Sequence, residues 1–205
     1  MFNKAVIILN GKNAIHTMLN ESNGFITTAQ VTAAGIQRRM LGELVAAKRL
    51  YRVARGIYAL PGAWEDEMYF LQYRFAKGIF SMETALYLHG LSDRTPISYT
   101  LTFPRGYNAA GLKKHKAKAK FVVPEIFELG VIEINSPSGN IIRVYDVERT
   151  LCDIVKGNNS CDIQLVNNAM KAYVGSKGKD IAKLIAYAKK LRVKPKVLRY
   201  MEVLL

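Results

Sequence analysis

The chain has 205 residues, half of them hydrophobic. That suffices for one large or two small domains with a real core, and it excludes wholesale disorder. Thirty Lys and Arg against sixteen Asp and Glu leave a net charge of +14, an excess that points to a polyanion, nucleic acid first and an acidic membrane surface second.

The charge is not confined to one end. Up to Ala63 there are eight basic and two acidic residues, or +6, and the remaining twenty-two against fourteen give +8. The two cysteines, Cys152 and Cys161, make neither a disulfide framework nor a zinc site. The apolar run 5–9 is too short for a signal peptide and no stretch reaches membrane-spanning length. The expected location is the cytoplasm, with no membrane partner.

In chain order, Asn3–Glu21 reads as a helix, weakened at Gly11, with Ala14, Ile15, Met18 and Leu19 as its apolar face. Thr27, Thr28, Ala29 and Gln30 fit a capping box: a Thr hydroxyl accepts an amide one turn on and Gln30 reaches back. Ile26 and Val31 occupy the staple positions around that cap. This short helix runs to Ala34, and Gly35 supplies the turn. A second helix is predicted over Ile36–Lys48, with Ile36, Met40, Leu41, Leu44 and Val45 as its buried stripe. Its other side carries Arg38, Arg39, Gly42, Ala46 and Arg49.

Two β-rich runs follow, Leu50–Val53 and Ile57–Leu60, joined through Ala54, Arg55 and Gly56. Helix, tight turn, helix and basic hairpin together read as a winged helix-turn-helix over residues 1–62. In such a module the second helix lies in the major groove with its N-terminal residues at base edges. Gln37, Arg38 and Arg39 fall at those positions; Arg suits guanine and Gln suits adenine. Thr28, Arg49, Arg52 and Arg55 complete the candidate DNA-binding set, the arginines at phosphates or the minor groove.

Residues 63–205 form a second, α/β domain in this reading, so the fold class is α+β. A helix is predicted over Trp64–Lys77, then one over Met82–His89 capped by Ser81, and a strand over Ile97–Pro104. Arg105–Lys120 reads as an exposed arm, with six Lys and Arg and no acid. It is either a solvated loop or a phosphate-contacting element; Lys113, Lys114, Lys116 and Lys118 are its candidates. Further strands are expected at Phe121–Pro124, Gly130–Ile134 and Ile141–Tyr145. Asp146 caps a helix that buries Val147, Leu151, Ile154 and Val155 and turns Glu148, Arg149 and Asp153 outward. Three helices close the chain, with stripes Ile163–Val166–Met170–Tyr173, Ile181–Leu184–Ile185–Ala188–Leu191 and Leu198–Met201–Leu204. From Lys171 to Arg199 there are ten basic residues and one acid, Asp180.

Catalytic signatures are missing from the sequence: no phosphate loop, GxGxxG, HExxH, CxxC or GxSxG. Glu148 and Asp153 are five apart, about 140° of rotation on an α-helix, which is poor geometry for a shared metal. The expectation is a protein with no catalytic residue, cofactor or metal.

The stretch TTAQVTAAGIQRRMLGELVAAKRLYRVARGIYALPG, and above all RGIYALPG at Arg55–Gly62, resembles the AbiEi antitoxins of the AbiE abortive-infection systems. FSMETALYLHGLSD at Phe80–Asp93 and VYDVERTLCDIV at Val144–Val155 resemble the blocks that follow. The resemblance implies a type IV toxin–antitoxin role in phage defence, with a nucleotidyltransferase toxin as functional partner and no stable complex between them. It implies autorepression through double-stranded promoter DNA carrying inverted repeats, two copies of a monomer meeting on the operator. It also implies antitoxic activity in the C-terminal domain. The chain lacks the Gly-Ser followed by Asp-x-Asp of a nucleotidyltransferase. The alternatives are a winged-helix regulator with a ligand- or RNA-binding C-terminal domain and no antitoxin role, and an RNA- or ribosome-binding protein.

Overall fold

The computed structural model describes residues 2–63, 66–156 and 161–204, with side chains from residue 11 onward. The chain divides into two compact units, residues 1–70 with 137–140, and residues 71–136 with 141–205. The first unit thus reaches Phe70 rather than Gly62, and takes in a turn from far along the chain. Within it Asn140 Nδ2 donates to buried Asp66 Oδ2 at 2.9 Å.

The first unit runs α1 (Phe2–Glu21), β1 (Phe25–Thr27), α2 (Thr28–Ala33), α3 (Arg39–Ala46), β2 (Tyr51–Ala54) and β3 (Ile57–Ala59). The strands form an antiparallel sheet in the order β1-β3-β2. Ile15 and Leu19 of α1 pack with Ile26, Val31, Met40, Leu41 and Leu50 as its core. α1 continues through Gly11. A Cβ there would lie 2.9 Å from Met40 Sδ, so the glycine that reads as a helix weakness makes room for the α3 methionine.

In the second unit the helices are α4 (Glu67–Arg74, which runs across the division), α5 (Met82–Leu88), α6 (Pro124–Phe127), α7 (Val147–Lys156), α8 (Ile163–Gly175), α9 (Ile181–Lys190) and α10 (Lys194–Leu204). The expected start of α4 at Trp64 lies outside the described residues. The strands are β4 (Ile79–Phe80), β5 (Tyr99–Pro104), β6 (Ala117–Val122), β7 (Val131–Asn135) and β8 (Ile141–Tyr145). They form one mixed sheet, β6-β5-β4-β8-β7, parallel at β5–β6 and β4–β8. A large core joins α5 and α7 to the three C-terminal helices through Leu86, Leu151, Ala169, Leu184 and Val197.

Four expectations are corrected here. Ser81 precedes α5 but makes no capping bond; its hydroxyl accepts from Thr102 Oγ1 at 2.9 Å instead. The basic arm is shorter than expected, because Lys118 and Lys120 lie on β6, whose alternating Ala and Lys pair with β5. On the C-terminal helices Ile163 is 63% exposed, and Val197, not Leu198, is the inward partner of Met201. Glu148, Arg149 and Asp153 of α7 point inward and are buried. The amphipathic pattern misassigned them because their polarity is neutralised inside the fold: Arg149 by Asp153 one turn on and by the distant Ile126 O and Leu129 O, and Glu148 by the distant Tyr173 and Lys183.

Candidate nucleic-acid interface

Thr27 and Gln30 form the capping box at the start of α2. Gln30 N donates to Thr27 Oγ1 at 3.2 Å and Thr27 N to Gln30 Oε1 at 2.8 Å. Ile26 and Val31, the staple pair, are both fully buried. α2 ends in a Schellman turn: Ile36 N donates to Val31 O at 2.9 Å and Gly35 N to Thr32 O at 3.0 Å, with Gly35 at φ +70°.

The chain then spends three residues before α3 begins at Arg39. Gln37 and Arg38 therefore lie in the turn, and only Arg39 of the three base-reading candidates is helical. All three are exposed. Arg38 is held in place: its Nε donates to Thr32 Oγ1 at 2.7 Å, and that hydroxyl donates to Thr28 O at 2.7 Å. Arg39 Nε pairs with Glu43 Oε1 at 3.0 Å along the helix, both side chains well exposed. Such a pair contributes only about 0.3–0.5 kcal/mol, so it orients Arg39 without committing it.

The hairpin is tied to α2 at its turn. Thr28 N donates to Gly56 O at 2.9 Å, and Thr27 pairs with Ile57 across β1 and β3. Gly56 takes φ +81°, which a side chain at that position would resist. A register shift between Arg52 and Ala54 marks a bulge in β2. Arg49, Arg52 and Arg55 are exposed, as is Tyr51 at 53%, whereas Ile57 and Ala59 face the core. Thr28 is half-buried, engaged through its backbone at the α2–hairpin junction.

One cation in this region escaped sequence reading. α3 ends in a second Schellman turn, with Arg49 N donating to Leu44 O at 2.9 Å and Lys48 N to Val45 O at 3.0 Å. The left-handed position that glycine normally fills is Lys48, exposed at φ +55°. A non-glycine residue there costs about 1–2 kcal/mol, and strained residues of this kind cluster at functional sites. Lys48→Gly is therefore expected to raise the thermal midpoint by several degrees and to weaken DNA binding. Calorimetry and a gel shift on the same preparation check both.

Lys113, Lys114, Lys116 and Lys118 are exposed and belong to the second unit. Two buried carboxylates of that unit, Asp146 and Glu148, are engaged internally. Asp146 and Glu148 each meet Lys183 Nζ at 3.0 Å, and Tyr187 and Tyr173 donate to them. Burial by itself would lower the Lys183 ammonium, but the two carboxylate bonds outweigh it and raise it. Cys152 is buried, which pushes its thiol up to about 12 and leaves it poorly nucleophilic. Among the described residues no group of three or more His, Cys, Asp and Glu is placed to hold a metal, and no helix is long and apolar enough to cross a membrane.

The family model described as "Transcriptional regulator, AbiEi antitoxin" matches residues 17–61. That segment spans the end of α1, the α2–turn–α3 unit and the hairpin. Over it, the chain is similar to that family. The AbiEi match thus covers the same residues that carry the exposed arginines, and it is a match to a family of regulators. Among solved structures, that of the RV2827C protein from Mycobacterium tuberculosis is similar at 13% identity, with a TM-score of 0.46, over 95% of this chain and 80% of that one. No curated protein matches the chain.

Proposed function

We propose that the chain is a winged helix-turn-helix autorepressor and antitoxin, in which α3 enters the major groove and the β2–β3 hairpin is the wing. What supports this most is the run of exposed cations on those elements, Arg38, Arg39, Lys48, Arg49, Arg52 and Arg55, inside the AbiEi-matched segment. Gln37, Arg38 and Arg39 read bases. Lys48, Arg49, Arg52 and Arg55 hold phosphates or the minor groove, and Thr28 positions the wing at the duplex. Lys113, Lys114, Lys116 and Lys118 add backbone contacts from the second unit. Two copies occupy an inverted repeat in the promoter of the chain's own operon, with half-sites whole helical turns apart. The functional partner is a nucleotidyltransferase toxin, neutralised in the cytoplasm by the C-terminal domain without a stable complex.

The test is a gel shift on that promoter across a salt series. Arg39→Ala is expected to lose about 1–3 kcal/mol of operator affinity with little change in stability, since only the exposed Glu43 pair is lost. Arg52→Ala and Arg55→Ala are each expected to lower the salt slope by about one. Unchanged affinity and slope in the triple variant would overturn the assignment. Co-expression of the toxin encoded beside the chain tests the antitoxin half separately: the C-terminal domain should restore growth.

A further inference from the structure

The second unit contains a groove whose aromatic rings the duplex-reading proposal does not use, although two of its lysines, Lys113 and Lys118, also serve that proposal. It lies between the loop after β5 and the edge strand β6, with a volume of about 720 Å³, within the range of small-ligand sites. Tyr107, Ala109, Lys113, Lys118, Ala119 and Phe121 line it. Tyr107 stacks face to face on Phe103, centroids 4.8 Å apart and planes 3° from parallel, and Phe121 packs 6.1 Å from the same ring while remaining 46% exposed. A buried aromatic thus backs two rings at the groove.

The segment that forms the groove carries charge of one sign. Arg105 to Lys120 contains six Lys and Arg and no carboxylate. Among the described residues Lys113, Lys114, Lys116 and Lys118 take part in no ion pair, and all four are exposed. The segment is fixed to the sheet rather than hanging from it: Arg105 N donates to Val122 O at 2.8 Å, Tyr99 N to Lys116 O at 3.1 Å, and Leu112–His115 forms a 3-10 turn. Among the described residues β6 pairs only with β5 and lies at the edge of the sheet.

We propose that this groove binds single-stranded nucleic acid, a base stacking against Tyr107 and Phe121 while the lysines hold the phosphates. Lysines alone would serve any polyanion. The rings discriminate, because a duplex hides the faces of its bases and a single strand offers them, and aromatic stacking with a cationic groove is how single strands are held without sequence preference. The inference shares Lys113 and Lys118 with the winged-helix reading but rests on the rings, and the failure of that reading shows on duplex operator.

Fluorescence anisotropy on the full chain tests it, with four probes of one length: oligo-dT, oligo-U, an abasic deoxyribose strand of the same charge, and oligoglutamate. The chain should bind oligo-dT or oligo-U about tenfold more tightly than the abasic strand. Phe121→Ser, at an exposed position, should abolish that preference, and Tyr107→Leu should reduce it. Lys113→Ala with Lys118→Ala should weaken base-bearing and abasic strands alike. Lys12→Ala, which removes an exposed cation of α1, should leave the preference intact. Tighter oligo-U assigns the site to RNA and tighter oligo-dT to DNA. Equal binding of all four probes, or a preference that survives both aromatic variants, overturns the proposal.

Discussion

Replacing Arg149 by alanine is expected to destabilise the C-terminal unit by about 3–5 kcal/mol, because it strands a buried partner charge. Arg149 is fully buried. Its Nε donates to Asp153 Oδ2 at 3.0 Å, its Nη1 donates to Ile126 O at 2.6 Å and Leu129 O at 2.9 Å, and its guanidinium carbon sits 4.2 Å over the Tyr145 ring. Among the described residues Nη2 has no acceptor. Alanine would leave the Asp153 carboxylate, 5% exposed, without its cation, and two carbonyls at the end of α6 without donors. Lysine should fail nearly as badly, since one nitrogen cannot span three acceptors set by a planar fork. The double variant Arg149→Met, Asp153→Leu removes both charges and should recover most of the loss. Gly130 reports on the same packing: at φ +77°, a Cβ would come within 2.8 Å of Arg149 Cβ and 2.9 Å of Asp146 Oδ1, so Gly130→Ala should also destabilise. Urea unfolding combined with hydrogen exchange on α7 peptides measures all four variants. A loss under about 1 kcal/mol for Arg149→Ala would show that water reaches and solvates Asp153.

This cluster also marks where the sequence ceased to be legible. The capping box, the staple, Gly35 and the Gly56 turn were readable because each is a local device: donor, acceptor and required backbone angle lie within a few residues. The exposed arginines were readable for the same reason, from helical period and hairpin alternation. The end of α3 was not. Its left-handed residue is Lys48 rather than glycine, so the stop signal is absent and the helix reads two residues too long. β4, only two residues, carries no period, and it exists because β5 and β8 flank it on either side. The inward turn of Glu148, Arg149 and Asp153 depends on Lys183, Tyr173 and the 126–129 carbonyls, contacts closed only by the tertiary fold. Hydrophobic patterning assigns charged positions to solvent, and it fails where charges are buried as a mutually neutralising set. Lys120 shows the same effect in milder form. It reads as one more cation of an exposed arm, yet it is half-buried on β6 near Met82 Sδ, and burial lowers its ammonium.

Gly42→Glu is expected to abolish operator binding while leaving the fold intact, and the contrast with Gly42→Ala is what makes the result interpretable. Gly42 is in the middle of α3, exposed, with no atom within 4 Å of where a Cβ would stand. Glycine inside a helix is disfavoured against alanine by about 0.5–1 kcal/mol. Nothing within the first unit requires the missing side chain, because the core contacts of α3 come from Met40, Leu41, Leu44 and Val45. Alanine should therefore stabilise the unit by roughly that amount and, being small, should reduce operator affinity modestly. Glutamate should be near neutral for folding on an exposed helical position, yet on the proposed groove-facing surface it sets a carboxylate against phosphates and base edges, a like-charge contact costing several kcal/mol. That corresponds to a loss of more than a hundredfold, since each 1.4 kcal/mol is a factor of ten. Asp or Glu introduced on an exposed position away from this surface, such as Asn13 of α1, should lower affinity only through net charge and weaken with salt. Melting curves and gel shifts on Gly42→Ala, Gly42→Glu and Asn13→Glu separate the two contributions. Should Gly42→Glu bind the operator as tightly as Asn13→Glu does, α3 presents some other surface to DNA, and the base-reading roles of Gln37, Arg38 and Arg39 fall with it.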